Sequence, residues 1–180
     1  PTVFSVTFLL FMFYQFKKEN FSKFLLFMVL SLLCQENISL AMIMFGIYAT
    51  IKKRSPKWII TPVLFGILYF YLSTRIIMPY FNKNKIQFFS LYSYLGDSIF
   101  KIISFILLHP IKILKIIFTK QKLIYLSRVF GPLCFLPFLS PSVLIISLPF
   151  FLQHLLSIRQ TEISIYYHYL AEIIPFLFIS

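Results

Sequence analysis

The feature that most constrains this chain is a short polar peptide, Gln35-Glu36-Asn37, between two apolar runs. Residues 24–34 and 38–51 consist almost entirely of Phe, Leu, Ile, Met, Val and small residues. An ionisable side chain at membrane depth costs roughly 2.5–3.5 kcal/mol on insertion scales unless it faces water or a partner. Glu36 therefore indicates a functional site inside a membrane protein or the turn of a helical hairpin, and we interpret it as both.

Composition predicts that lipid surrounds the chain. Of its 180 residues, 59% are hydrophobic and 20% aromatic, against 12% that are charged. The core of a soluble domain of this size cannot hold so much apolar surface, whereas a bilayer can cover it. The two cysteines, Cys34 and Cys134, lie in apolar runs without metal-ligand spacing, so neither a disulfide nor a metal site is inferred from them.

The ends of the sequence suggest a longer protein, since the chain begins and stops inside apolar runs. We expect an all-α, multi-pass helical membrane protein. Residues 1–180 would form a single membrane domain, the central or carboxy-terminal part of the whole.

Basic clusters divide the apolar sequence into predicted spans. Residues 24–51 would be roughly 42 Å long as one helix, and lysines flank both ends. Because positive residues favour the cytoplasmic side, this segment is predicted to turn back at Glu36, with Asn37 as a helix N-cap. One broken helix is the alternative. Further spans are predicted at residues 3–16, 58–74 with Trp58 as an interface anchor, 123–139 and 141–152 as a second hairpin, and from Tyr169 onward.

Residues 75–122 are predicted to form an extracytoplasmic loop that carries an interfacial amphipathic helix. Over residues 99–119 the lysines share one helical face, while Ile, Phe and Leu fill the rest. Such a helix lies along a membrane surface with its lysines toward water, and Pro110 should kink it. The lysines act either as interface anchors or as contacts to a lipid phosphate. An inverted orientation would place this loop in the cytoplasm.

Charge and the scarcity of acidic residues limit the possible partners. The formal net charge of +12 favours anionic lipids over nucleic acid, because the basic residues are interleaved with segments at membrane depth. Glu172 follows His168 by four residues, so on an α-helix the two would share a face. This pair would ligate a metal, relay protons or, as we favour, be structural. Asp97 is interpreted as a helix cap.

Known chemical motifs are missing from the sequence. It contains no Walker, Rossmann, zinc-binding or hydrolase motif. We therefore assign no metal ligands and no definite cofactor, and leave a divalent metal open.

The order of several motifs carries a family resemblance. Gln35-Glu36-Asn37 is followed by Gly46-Ile47-Tyr48 and by the sequence IIMPYF at residues 76–81. The later motifs are Tyr94-Leu95-Gly96, His109-Pro110, the proline-rich residues 130–141, Pro149, the sequence YYHY at residues 166–169, and Pro175. In this order they resemble a family of bacterial membrane proteins, the domain of unknown function 2079, which is grouped with the GT-C membrane glycosyltransferases.

The resemblance implies a GT-C-like fold in a bacterial inner or plasma membrane. It implies transfer of a sugar from a polyprenyl-phosphate lipid to an extracytoplasmic acceptor. In GT-C enzymes the first extracytoplasmic loop supplies the catalytic aspartate, and we expect that loop to precede this chain, so no catalytic base is assigned.

Five residues are expected to bind substrate: Glu36, Arg75, Tyr94, Arg128 and His168. Arginine suits bidentate contact with a phosphate, although Arg128 could instead be an interface anchor. The alternative function is a transporter or flippase for a lipid or small anion, and a third possibility is a membrane scaffold without catalysis.

Overall fold

A computed structural model describes residues 2–81 and 89–180, and every regular element in these ranges is helical. The all-α prediction is therefore confirmed for the described residues. The α-helices are α1 (Thr2–Lys17), α2 (Phe21–Cys34), α3 (Ile38–Ile51), α4 (Pro56–Leu72), α5 (Met78–Phe81), α6 (Ile99–Leu108), α7 (Pro110–Ile117), α8 (Lys120–Phe130), α9 (Pro141–Leu156) and α10 (Ile174–Ile179). A π-helical turn (Ser73–Ile77) follows α4, and 3-10 turns lie at Phe89–Tyr92, Gly131–Leu133, Leu136–Leu139, Gln160–Ile163 and His168–Glu172.

The turns after α1 and after α3 lie side by side. Each contains one residue with left-handed backbone geometry, Glu19 (φ 58°) and Lys53 (φ 52°), as is common just beyond a helix end. An ion pair between Arg54 and Glu19 joins the two turns. The Arg54 guanidinium also lies 5.0 Å from the centroid of the Phe16 ring. We call this region, with its seven cations, the basic end: Lys17, Lys18, Lys23, Lys52, Lys53, Arg54 and Lys57.

These contacts establish the path of residues 24–51. α2 begins beside the first turn and α3 ends at the second, so the two ends of the segment meet and the chain reverses at Gln35-Glu36-Asn37. Phe24 of α2 accordingly contacts Phe45 of α3, with ring centroids 5.5 Å apart. The predicted hairpin is confirmed and the single broken helix is excluded. Asn37 occupies the predicted N-cap position, but its side chain makes no capping hydrogen bond.

An aromatic cluster fills the space behind the basic end. Trp58 is 4% exposed, and its ring centroid lies 5.2, 5.1 and 5.0 Å from those of Phe16, Phe21 and Phe24. The prediction that Trp58 is an interface anchor is wrong, because these rings enclose it.

α3 and α4 pack closely because each helix presents a glycine to the other. A Cβ on Gly66 would lie 2.6 Å from the Ser39 carbonyl oxygen, and one on Gly46 would lie 2.2 Å from Cγ2 of Val63. Small residues at such positions allow the backbones of membrane helices to approach.

One long apolar helix, Pro56–Phe81, combines α4, the π-turn and α5. Within the described residues it is the one helix long and apolar enough to cross a membrane, with 26 residues. It measures about 39 Å, against a hydrocarbon core of about 30 Å. The predicted boundary between span and loop at residue 75 is wrong, because Arg75 lies inside this helix. The part of the predicted loop at residues 82–88 lies outside the described residues.

The predicted span at residues 123–139 is also wrong. α8 ends at Phe130, and two 3-10 turns follow. Cys134 and Phe135 between them both have left-handed backbone angles, with φ of 48° and 57°. The prolines of this stretch lack the backbone N–H that a continuous helix needs.

The last two helices differ from the predicted spans. α9 begins at Pro141 as predicted but continues to Leu156, beyond the predicted end at residue 152. The predicted final span, from Tyr169 onward, is instead a 3-10 turn followed by α10, which has 6 residues.

The predicted amphipathic helix at residues 99–119 is divided into α6 and α7, which we call the strap. The break is at His109, with Pro110 as the first residue of α7, as the sequence indicated. Ser98, not Asp97, caps α6 by accepting a hydrogen bond from the Lys101 N–H. Asp97 instead pairs with the Lys101 ammonium at 3.1 Å.

Candidate functional site

A cavity lies at the α2–α3 turn, at the opposite end of these helices from the basic end. It has a volume of about 120 Å³ and contacts both the turn and the end of α4. We call it the Glu36 cavity. Its lining residues are Leu33, Cys34, Gln35, Glu36, Tyr69, Ser73, Ile77 and Met78.

The wall opposite Glu36 is formed by the π-turn in the long apolar helix. Ser73 and Ile77, the first and last residues of this turn, both line the cavity. π-helical turns within α-helices are frequent at functional sites. The cavity therefore combines a polar turn on one side with an irregular helical segment on the other.

Several polar groups are concentrated in this cavity. The Tyr69 hydroxyl lies near both Ser73 and the Glu36 carboxylate, and Ser73 is 3% exposed. The buried Oε1 atom of Gln35 has no hydrogen-bond partner among the described residues. Leaving such an atom unpaired costs on the order of 1–3 kcal/mol. The cavity thus offers hydrogen-bonding groups to a polar ligand.

A hydrogen bond behind the cavity joins it to the carboxy-terminal part of the chain. The Asn37 side-chain amide donates to Oε2 of Glu172 at 2.5 Å, and Glu172 is 3% exposed. The carboxylates of Glu36 and Glu162 are both close enough to repel that of Glu172. Glu172 therefore lies within electrostatic range of both Glu36 and Glu162.

A second buried polar cluster adjoins the last turn of α9. The Tyr125 hydroxyl lies 3.0 Å from Nδ1 of His154, and both side chains are buried. Nearby, the Arg159 guanidinium is 3.9 Å from the Glu162 carboxylate. Burial raises the pKa of Glu162, while the Ser157 hydroxyl and Arg159 act in the opposite direction.

Two tyrosine hydroxyls fasten the chain before the strap to the end of α9. Tyr92 donates to the Gln153 carbonyl at 3.0 Å, and Tyr94 donates to the Leu156 carbonyl at 2.7 Å. The Leu156 carbonyl is one of the last in α9, which lack partners within the helix, and the Tyr94 hydroxyl supplies one. The Gln153 carbonyl also accepts from the Ser157 N–H at 3.0 Å, so the Tyr92 hydroxyl adds a second hydrogen bond there.

Comparison with known proteins assigns the family. The family described as "Predicted membrane protein (DUF2079)" matches residues 1–180. This chain belongs to that family. The description agrees with the apolar helix Pro56–Phe81 and supports association with a lipid bilayer. Comparisons with curated proteins and with solved structures gave no match.

The structure of this chain brings one of the predicted binding residues, Glu36, into the cavity. Arg75 is exposed in the π-turn, and Arg128 is exposed in the last turn of α8. Tyr94 contacts the end of α9 through its hydroxyl. The backbone of His168 lies in a 3-10 turn, and its side chain is outside the described part of the structure. The cavity lining includes neither arginine nor Tyr94.

The predicted α-helix that would place His168 and Glu172 on one face is wrong, because residues 168–172 form a 3-10 turn. In a 3-10 helix, positions four apart are separated by about 120° around the axis, whereas in an α-helix the separation is about 40°. Over residues 2–81 and 89–180, no three His, Cys, Asp or Glu side chains cluster closely enough to hold a metal. We therefore assign no metal ligands among these residues.

Sequence reasoning missed several polar residues of this DUF2079 site. Tyr69 and Ser73 lie in an apolar run, where their positions resemble those of ordinary span residues. Glu162 had one usable signal, a carboxylate three residues after Arg159 in a chain with 5 acidic residues. No sequence pattern near Asn37 or Glu172 predicted the hydrogen bond between them.

Proposed function

We propose that this DUF2079 protein is a multi-pass membrane glycosyltransferase of the GT-C type, and that its Glu36 cavity binds substrate. The reaction would move a sugar from a polyprenyl-phosphate lipid to an acceptor at the extracytoplasmic face. The observation that carries this proposal is that Glu36 lines a cavity with other polar residues, beside the apolar helix Pro56–Phe81.

The lengths of α2 and α3 support a site at membrane depth. Each helix has 14 residues, so the Glu36 turn lies about 21 Å from the basic end. The hydrocarbon core is about 30 Å thick, and positive residues favour the cytoplasmic interface. With the basic end at that interface, Glu36 lies beneath the opposite head groups, where a lipid-linked sugar enters from the bilayer.

The polar groups of the cavity suit a ligand that carries hydroxyls. Glu36 accepts hydrogen bonds from a sugar or acceptor hydroxyl, and the hydroxyls of Tyr69 and Ser73 donate or accept. Arg75 follows Ser73 by two residues and is exposed, so it is our candidate for contact with the donor phosphate. The catalytic base is not among the residues that we assign.

One observation favours the alternative function, a transporter or flippase for a lipid or small anion. The Glu172 carboxylate is close enough to those of Glu36 and Glu162 to interact with each, and Glu172 and Glu162 are 3% and 7% exposed. Neighbouring acidic residues inside membrane proteins commonly mark ion or proton pathways.

The test uses the full-length protein in proteoliposomes with polyprenyl-phosphate-sugar donors. Glu36→Gln and His168→Ala should each lower the transfer rate at least about tenfold, equivalent to roughly 1.4 kcal/mol in the barrier. Glu19→Gln, the same substitution at the basic end, should leave the rate unchanged. Wild-type transfer by Glu36→Gln would remove this carboxylate from the mechanism. A protein that is inert toward every donor, yet moves labelled lipid between leaflets, would favour the transporter.

A further inference from the structure

The strap has an apolar stripe that no described residue covers. Its members recur every three or four positions within each helix, so they lie along one side of α6 and along one side of α7. Their exposed fractions lie between 50% and 79%. The stripe consists of Phe100, Ile103, Leu107, Ile111, Leu114 and Phe118.

The opposite side of the strap is apolar as well, but it is packed. Ile102 and Phe105 of α6, and Ile113 and Ile116 of α7, belong to a small core with residues that include Leu156 of α9. The strap therefore has one apolar side against the protein and another at the molecular surface. Large contiguous apolar patches on a protein surface mark interaction sites. We therefore expect the stripe to be covered by a partner and not by water.

Lysines run along one flank of the exposed stripe. Lys101, Lys112 and Lys115 each follow a stripe residue by one position, which places them about 100° around the helix from it. All three are exposed, although the Lys101 ammonium is already paired with Asp97. Lysine at such a position buries its methylene stem along apolar surface while its ammonium group reaches a polar layer.

We propose that the strap lies between the protein and the acyl chains of one leaflet, where its lysines bind the phosphates of anionic phospholipids. The exposed stripe enters the hydrocarbon, and the flanking ammonium groups remain at the head groups. Charge complementarity favours this occupant over a soluble partner, because the cations follow the edge of the stripe along both helices. Membership of a membrane-protein family places lipid next to the chain.

The position of the strap indicates which leaflet is involved. Leu152 and Leu156, which pack against the strap, belong to the last two turns of α9. The 3-10 turn that contains Glu162 contacts α9. Glu162 is also close enough to Glu172, the partner of Asn37, for their carboxylates to repel. The strap therefore lies at the cavity end of the molecule, in the leaflet opposite the basic end.

The test measures lipid enrichment at the strap itself. A cysteine replaces Leu114 in a Cys34→Ala/Cys134→Ala background and carries an environment-sensitive fluorophore. The full-length protein is placed in bilayers that contain acyl-chain spin-labelled phosphatidylglycerol or, at the same mole fraction, spin-labelled phosphatidylcholine. Both lipids should quench the fluorophore. Quenching by phosphatidylglycerol should be at least about threefold stronger, because one lysine near an anionic surface raises binding by roughly fivefold.

Two triple variants that remove equal charge test whether the strap lysines cause the preference for phosphatidylglycerol. Lys101→Gln/Lys112→Gln/Lys115→Gln should reduce the quenching ratio of the two lipids to about one, while quenching by phosphatidylcholine persists. Lys18→Gln/Lys23→Gln/Lys57→Gln, which removes equal charge at the basic end, should preserve the ratio. Absence of quenching by either lipid would overturn the placement in the leaflet. Equal quenching in the parent protein, or equal loss of the ratio in both triple variants, would overturn the phosphate contacts.

Discussion

The two parts of this chain are held together in different ways. Residues 2–81 form long helices that pack through aromatic rings and the close contacts of Gly46 and Gly66. Residues 89–180 form 3-10 turns and, apart from the 16-residue α9, shorter helices. Polar side chains fasten these elements through hydrogen bonds such as those of Tyr94 and Tyr125. Where a helix is interrupted, carbonyl groups at its end lack backbone partners. Side-chain hydroxyls such as that of Tyr94 then donate hydrogen bonds to them.

Proline content gives a physical reason for this difference. Six of the 10 prolines lie in residues 89–180, and each removes one backbone donor. The hydrogen bond between Asn37 and Glu172 joins the two parts beside the Glu36 cavity. The proposed site thus lies where a rigid helical array meets a segment with more irregular backbone.

The largest expected effect tests aromatic packing in the first part. Trp58→Ala should lower the free energy of unfolding by about 3–5 kcal/mol, because it leaves a cavity among three phenylalanine rings. Ile60→Ala, on the same helix, should cost far less because Ile60 is 60% exposed. Denaturant titration in mixed micelles measures both. Equal losses would show that the aromatic cluster does not hold this part together.

A second prediction concerns close backbone contact. Gly66→Ala should destabilise the protein by about 1–3 kcal/mol, because the new methyl group must displace the Ser39 carbonyl and Ile43. Gly131→Ala, in the second part, should change stability by no more than about 1 kcal/mol, since a Cβ there meets nothing within 4 Å. Thermal unfolding of the two variants compares them. A Gly66→Ala protein as stable as its parent would contradict the close approach of α3 and α4.

A third prediction tests polar fastening in the second part. Tyr125→Phe should cost about 1–2 kcal/mol, because it leaves Nδ1 of His154 buried without its hydroxyl partner. Tyr166→Phe should be nearly neutral, since Tyr166 is 82% exposed. The same unfolding measurement applies. If Tyr125→Phe were neutral, packing alone would hold α8 against α9, and the contrast between the two parts would disappear.

The smallest expected effect is a pH dependence from Glu162. Burial raises its pKa above the ordinary 4.5, so the folded state binds this proton more tightly than the unfolded state does. This contribution to stability is most favourable at low pH and declines as the pH rises through 4.5 and above. Glu162→Gln should flatten the curve of stability against pH in this range. Superimposable curves for Glu162→Gln and the parent would refute the assignment.

The sequence was most informative where charge and apolar runs alternate. Basic clusters at both ends of residues 24–51, with Glu36 between them, predicted the hairpin. His109 with Pro110 predicted the break in the strap, and Pro141 predicted the start of α9, because proline acts locally on the backbone. Glu36 was found as a site candidate for a related reason, since a carboxylate among apolar residues needs a specific environment.

The remaining features depend on contacts between distant segments. The sequence around Trp58 is compatible with either an interface anchor or a core residue. Only the packing of Phe16 and Phe24 around its ring decides between the two. Arg75 suggested a loop by its charge, although the helix continues through it. The Asn37–Glu172 hydrogen bond joins residues separated by 135 positions, and no local pattern carries such a pairing.

Labelling from the two sides of the membrane tests most directly the claim that the Glu36 cavity lies across the bilayer from the basic end. Lys57→Cys and Tyr80→Cys place single thiols near the two ends of Pro56–Phe81, in a Cys34→Ala/Cys134→Ala background. In sealed vesicles of known orientation, an impermeant maleimide should reach Lys57→Cys from the cytoplasmic face alone and Tyr80→Cys from the opposite face alone. Labelling of both thiols from the same face would contradict this account.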